Sequence, residues 1–358
     1  MVGIRIMHTL GIIGFGGMAS YHLSQLRNNL SDIITVKGVY DVQEVRQQAA
    51  RDAGLVAYES ADAMFADSEI DIVLIATPND AHADYAIRAM RAGKNVMCEK
   101  PVTMSSEELK EVMKVRDETG KLFTINQNRR KDPDYIGIKN AIANDGVGEL
   151  RQIESRVIGS RGLSYGWRHC KVTGGGIILD WGVHMIDQMM TMMPCKLSSL
   201  YCTMRFDTYK EVDDHFHLTL RFENGVNAIV EVATNNFFGK PRWYAACADG
   251  TIQVSDWGQP TITVKPVDAE FVWADEIIQT KMGPSRTMLP RRESEIETIE
   301  TPLPDVINGV DHNYRCLVDA IEGKGALAVT AEEAMRTLVV IEKAFESAAT
   351  GKAIEMNI

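Results

Sequence analysis

Residues Thr9–Ala19 read TLGIIGFGGMA, an apolar run that breaks into glycines and passes at once into a helical pattern from about Met18 to Asn29. The run suits a first strand, and Gly14, Gly16 and Ala19 match G-x-G-x-x-A between a strand and a helix. Small side chains there let a backbone approach a pyrophosphate at a helix N-terminus, where unpaired N–H groups favour negative charge. Gly14, Phe15, Gly16, Gly17 and Met18 are therefore expected to cradle such a group. A tight turn with close packing uses the same residues, so the loop needs its context. Asp41 supplies it, ending a second apolar run, ITVKGVYD, roughly 20 residues beyond Ala19. A carboxylate at that place binds ribose hydroxyls and repels a 2′-phosphate, so the expected cofactor is NAD rather than NADP.

The pattern continues outward. VQEVRQQAARDAG is helical with Gly54 as its stop, and DIVLIATP is a third strand run. DAHADYAIRAMRAG is a helix ended by glycine. KNVMCEKP and KLFTINQN give further strands around SSEELKEVMKVRDETG, whose Ser105 and Glu108 fit a capping box. Alternating helices and near-continuous apolar strands imply a doubly wound parallel α/β sheet.

Beyond Asn126 the period changes. HFHLTLRFENGVNAIVEVAT alternates strictly around Asn224-Gly225, and WYAACADGTIQVS does so around Asp249-Gly250, both hairpin signals. With LRQIESRVI, LSSLYCTMRF and TITVKPV they imply a mostly antiparallel sheet, polar on one face and apolar on the other. Helix returns from about Asp311 to Ala349. The expected domains are residues 1–126, binding the dinucleotide, and residues 127–358, an α+β domain for substrate and assembly.

Composition narrows the function classes. At 358 residues the chain has room for two cores, and a net charge of −11 argues against nucleic acid as the main partner. No run approaches the roughly 18 apolar residues of a membrane span. The N-terminal MVGIRIMHTLGIIGFGG reads as a strand rather than a signal peptide, because glycines break its apolar centre. Six scattered cysteines without a C-x-x-C pair suit reduced thiols of a cytoplasmic protein and no structural zinc.

GGGIILDWGVHMID, residues 174–187, sets Asp180, His184 and Asp187 in an oily background. In a helix, positions i, i+4 and i+7 lie within about 60° of one another, so the three share one face. That is either a satisfied polar patch or a reaction site. A two-ligand metal site has no third ligand at an obvious spacing, so no metal is expected. Met185, Met189, Met190, Met192 and Met193 suit helix packing. In CEKP, Lys100 ends a fourth strand where parallel sheets bind ligands.

GFGGMA, then IATPNDAHADYAIRAMRAGKNVMCEKP, then GGGIILDWGVHMID occur in an order that resembles the Gfo/Idh/MocA family, the relatives of glucose–fructose oxidoreductase and inositol dehydrogenase. The resemblance covers nearly the whole chain. It implies a Rossmann domain, an open antiparallel second domain and NAD(P)-dependent oxidation of a sugar, polyol or related molecule. It also implies that Lys100 is the catalytic lysine before a bond that is often cis, and that Asp180 and His184 are the D-x-x-x-H pair. Asp187 matches an acid that binds substrate hydroxyls. Thr77, Pro78, Asn79, His82 and Glu99 match positions beside the cofactor, and Arg129 one near the substrate cleft.

Alcohol oxidation needs a base for the hydroxyl proton while hydride leaves carbon. His184 suits that role, with Asp180 orienting it and Lys100 steadying alkoxide charge. Tyr165, Trp167 and Arg168, in SYGWRHCKVTGGG, offer an aromatic face and a guanidinium to a sugar ring, although Trp167 and Trp181 equally serve as cleft walls. The three glycines are expected to bring the chain close beside cofactor or substrate. Three function classes stand: a sugar, polyol or glycoside dehydrogenase, a glycoside-cleaving enzyme that recycles its NAD, and a non-catalytic NAD-binding regulator. The amphipathic sheet and the resemblance together point to a homo-oligomer.

Overall fold

The computed structural model describes residues 7–163, 166–268, 277–285 and 291–358. The opening apolar run is strand β1 (His8–Ile13), in which every residue but Thr9 is buried, and it leads into α1 (Gly17–Asn29). There follow β2 (Ile34–Tyr40), α2 (Glu44–Asp52), β3 (Val56–Ala57), α3 (Ala61–Ala66), β4 (Ile72–Ile75), α4 (His82–Arg91), β5 (Asn95–Cys98), α5 (Ser106–Thr119) and β6 (Phe123–Ile125). The strands form one parallel sheet in the order β3-β2-β1-β4-β5-β6. Its order reverses between β1 and β4, where such sheets open a crevice beyond the strands' carboxyl ends. The expected doubly wound fold is present. The β3–α3 unit was not foreseen, because a two-residue strand carries no periodicity. The α5 capping box is altered: Ser105 Oγ accepts the Glu108 N–H at 3.2 Å, but the Glu108 carboxylate takes the N–H of Met104, at 2.9 Å.

After β6 come α6 (Pro133–Asn144), β7 (Leu150–Ile158), α7 (Val183–Met192), β8 (Leu197–Arg205), β9 (His215–Phe222), β10 (Asn227–Ala233), β11 (Trp243–Cys247), β12 (Thr251–Val254), β13 (Thr261–Pro266), β14 (Ile278–Thr280), β15 (Gly283–Ser285) and β16 (Ile296–Thr301). Then follow α8 (Gly309–Ile321), α9 (Ala331–Thr350) and β17 (Ile354–Glu355). The second sheet runs β16-β13-β12-β11-β7-β10-β9-β8-β17. All its pairs are antiparallel except β7 with β10, so the sheet is mixed. Both expected hairpins form, and the alternation in β9 buries Phe216, Leu218, Leu220 and Phe222 against α7 and α9.

The expected C-terminal helix is two helices. Gly323 and Gly325 interrupt it, and Thr330 with Glu333 forms a capping box that starts α9. The chain also returns to the first sheet. Val310, Tyr314, Leu317 and Val318 of α8 are buried with Leu10, Ile12, Phe15 and Ala19. Along α9, Ala331, Ala334 and Leu338 join the first domain's core, while Val340, Ile341 and Ala344 join the second's. All six cysteines are free. Among the described residues no helix is long and apolar enough to cross a membrane, and no acid, His and Cys cluster suits a metal.

Candidate active site

A cleft of about 700 Å³ opens at the crevice between β1 and β4 and runs to the start of α7. Gly14, Phe15, Gly16, Gly17 and Met18 line one stretch, with Tyr40, Asp41, Val42, Gln43 and Arg46 beside them. Gly14 needs its glycine: φ is +85°, and a Cβ would stand 2.7 Å from the Ala76 carbonyl oxygen. A Cβ on Gly16 or Gly17 would meet nothing within 4 Å, so the space over the N-terminus of α1 is open. That terminus has no side-chain cap and no acid in its first turn. Free N–H groups facing open space fit a dinucleotide pyrophosphate. Asp41 stands where expected, although its Oδ2 accepts the Phe15 N–H at 2.7 Å and its Oδ1 that of Gln43 at 2.8 Å. Its carboxylate therefore also holds the glycine loop's shape. Buried Thr77 Oγ1, in the cleft wall beside Pro78 and Asn79, has no partner among the described residues.

Lys100 leaves the end of β5 before a cis bond to Pro101, and its side chain crosses between domains. Its Nζ donates to Asp180 Oδ1 at 3.0 Å and to the Asp180 carbonyl at 2.6 Å. Asp180 Oδ2 also accepts from Arg168 Nε at 3.1 Å. Burial pushes the Asp180 carboxyl up, but the charges of Lys100 and Arg168 outweigh it and hold it below the usual carboxylate range. Behind Lys100, buried Glu99 accepts from His22 Nε2 at 2.8 Å and Asn126 Nδ2 at 2.7 Å. Burial opposes ionisation there too, yet those bonds and the Lys100 charge keep its pKa below normal.

Residues 174–187 do not form one regular helix. Ile178–Gly182 is a π-helical turn, in which Val183 N–H reaches back to the Ile178 carbonyl, and α7 follows. The three ionisable groups consequently face three partners. Asp180 meets Lys100 and Arg168, His184 Nδ1 lies 3.0 Å from Gln127 Oε1, and Asp187 grips Arg130 through two 2.7 Å bonds. The orienting partner of His184 is thus Gln127 rather than Asp180. With the amide oxygen assigned to this contact, Nδ1 carries the proton and Nε2 keeps its lone pair. Burial, reinforced by the Lys100 and Arg129 charges, drives the His184 pKa well below its usual value. The glycines sit against protein. A Cβ on Gly174 would meet Met104 Sδ at 2.6 Å and Asn79 Nδ2 at 2.8 Å, Gly175 packs on the Arg168 carbonyl, and Gly176 packs on Asp213.

Other expected positions divide. Arg129, Trp167, Arg168, Trp181, Glu99 and Asn79 line the cleft. Arg129 stacks 4.3 Å from the Trp181 ring centroid, and Arg168 lies 4.5 Å from that of Trp167. His82 does not line it: the fully buried ring bridges the Pro101 and Thr77 carbonyls at 2.8 and 3.1 Å, so it shapes the turn carrying Lys100. Asp187 does not line it either, being 1% exposed and occupied by Arg130. Tyr165 lies outside the described residues. Sequence reading passed over Gln127, Arg130 and His22. The question that finds Gln127 is what satisfies the second nitrogen of a buried histidine.

Comparison with known proteins accords with the fold. Residues 8–127 match the model of an oxidoreductase family with an NAD-binding Rossmann fold, and residues 135–253 match the GFO/IDH/MocA C-terminal domain. An uncharacterized oxidoreductase of Schizosaccharomyces pombe is 34% identical over 168 residues, 46% of each chain. A scyllo-inositol 2-dehydrogenase (NADP(+)) of Bacillus subtilis is 27% identical over 97% of this chain and 96% of its own. The crystal structure of an NAD-binding protein from Listeria innocua superposes with a TM-score of 0.87 at 38% identity, covering 98% of this chain and 97% of that one. The chain belongs to the GFO/IDH/MocA family of NAD-binding oxidoreductases.

Proposed function

We propose that this oxidoreductase moves a hydride between the nicotinamide of NAD and a secondary hydroxyl of a sugar, polyol or glycoside, with Lys100, Asp180 and His184 as its catalytic set. The observation that carries the proposal is the Lys100–Asp180 pair, which joins one residue from each domain inside a cleft continuous with the glycine loop. NAD, when bound, accepts the hydride. The remaining work falls to side chains. Two of the three N–H donors of Lys100 are committed to Asp180, which leaves one for the substrate oxygen and its developing negative charge. His184 is neutral at physiological pH and offers Nε2 as acceptor for the hydroxyl proton. Gln127 fixes its tautomer, and Asp180 holds Lys100 in place. Trp167, Trp181 and the guanidinium groups of Arg129 and Arg168 suit the apolar face and hydroxyls of a ring. Asp41 supports NAD over NADP, and the half-buried face of the second sheet supports a homo-oligomer.

The test is NADH formation at 340 nm across polyols, aldoses and glycosides, repeated with NADP. Turnover of at least one such alcohol, faster with NAD, is the expected result. No reduced cofactor on any of them removes the reading, and faster turnover with NADP reverses the assignment to Asp41.

A further inference from the structure

A second cavity, of about 400 Å³, abuts the first and shares Asp180 and Trp181 with it. It opens at the carboxyl ends of β7 and β10, the parallel pair of the second sheet, where Val157 pairs with Val232 and Ile158 with Ala233. Its floor is apolar, completed by buried Leu163 and Ile177. The loop beyond β7 is fixed: the N–H groups of Gly159 and Gly162 donate to the carbonyls of Ala233 and Thr234 at 2.7 and 2.9 Å. Polar groups are few. Thr234 Oγ1 is already engaged with the Asp214 carbonyl at 3.0 Å and the Asp180 carboxylate with Lys100 and Arg168, which leaves Ser160 and Arg161 at the rim.

Resting on the dehydrogenase reading, we infer that this cavity is a subsite for an apolar, aromatic substituent on the substrate ring, so that the preferred substrates are aryl glycosides rather than free polyols. A second sugar ring would lose its hydroxyl hydration against an apolar floor without recovering it. An aromatic group loses nothing comparable, gains the buried area, and lets the Arg161 guanidinium lie over its face. Because Asp180 and Trp181 line both cavities, the second cavity adjoins the place where a ring would be held at Lys100.

The test compares kcat/KM for methyl and phenyl glycosides of glucose, galactose and mannose, in both anomers, with NAD and the full-length protein. A phenyl advantage of about tenfold or more is expected for at least one sugar. Filling the cavity with Ser160→Trp or Val157→Phe should bring that ratio to within about threefold of unity and leave the methyl glycoside within about threefold of wild type. The methyl substrate reports that each variant has folded. Turnover of methyl glycosides without a phenyl advantage, or a ratio untouched by both variants, overturns the subsite and leaves the dehydrogenase standing. Absence of NAD reduction on every glycoside, aldose and polyol overturns both.

Discussion

His184 illustrates how little a residue's identity fixes its chemistry. A free imidazole titrates near 6.5, but this one is buried beside two cations, so protonation costs more and begins only at lower pH. The neutral form is the one that accepts a proton, so the acid limb of the kcat/KM profile should lie below pH 6.5. Arg129→Gln removes one repelling charge and should move that limb upward. A pH–rate profile checks this, and an unmoved limb means that another group titrates. Lys100→Met and His184→Gln should each cost about 10²–10⁴ in kcat while NADH binding, read by fluorescence, survives. Asp187 separates two accounts. As the buried partner of Arg130, its replacement by alanine removes two of that guanidinium's bonds and leaves it only Glu333 and the Ala328 carbonyl, which should lower unfolding free energy by about 2–3 kcal/mol. As a hydroxyl ligand it would change KM and leave stability alone. Denaturant unfolding beside steady-state kinetics on Asp187→Ala decides between them.

At the scale of elements, the sequence carried most where periodicity was long. The strand, glycine turn and helix of residues 8–29 were legible because each part obeys a local rule. The stretch at 174–187 was legible as ionisable groups in an apolar setting, two of which, Asp180 and His184, line the cleft, but not as a geometry. Its spacing assumed regular α-helix, and nothing in ILDWG announces a π-turn, which arises from tertiary packing. Gly182 marks the constraint, since a Cβ there would press on Ile178 and Phe216, each at 2.9 Å. Asp213 was invisible, because an acid pair in EVDDHF resembles a solvated loop. It is 1% exposed, and its Oδ2 accepts the Ile178 N–H at 2.9 Å at the start of the π-turn. Burial raises its pKa to about 7 from an ordinary 3.8. The folded state therefore holds a proton that the unfolded chain releases, and stability present below pH 3.8 is lost as pH rises toward 7. Asp213→Asn stays neutral throughout, so its melting temperature relative to wild type should climb between pH 4.5 and 8, by on the order of 5 °C. A difference independent of pH would mean that the carboxyl stays ionised across that range.

Across the whole molecule, the division expected after residue 126 meets a chain that crosses back. A boundary drawn where periodicity changes cannot reveal this, since α8 is an ordinary amphipathic helix whose buried face names no partner. Its partners include β1, α1 and the chain just after β6: Tyr314 OH reaches His22 Nδ1 at 2.9 Å, and Asn313 donates to Asn126 at 2.8 Å. His22 in turn holds Glu99 behind Lys100, so the last fifty residues support Lys100 from within the first domain. Removing α8 would take Val310, Tyr314, Leu317 and Val318 from the cluster that holds Leu10 and Ile12 of β1 with Leu23 and Leu26 of α1, and removing α9 would take Ala331, Ala334 and Leu338 from the one that holds Val112 and Val115 of α5 with Phe123 of β6. At about 25 cal/mol per Å² of apolar surface, such losses exceed the margin by which a small domain is stable. The fragment 1–126 should therefore bind a hydrophobic dye and lack a cooperative thermal transition. Adding residues 309–350 in trans or by fusion should restore one. A fragment 1–126 that melts cooperatively and binds NADH unaided would show that the first domain is autonomous and that α8 and α9 merely rest on it.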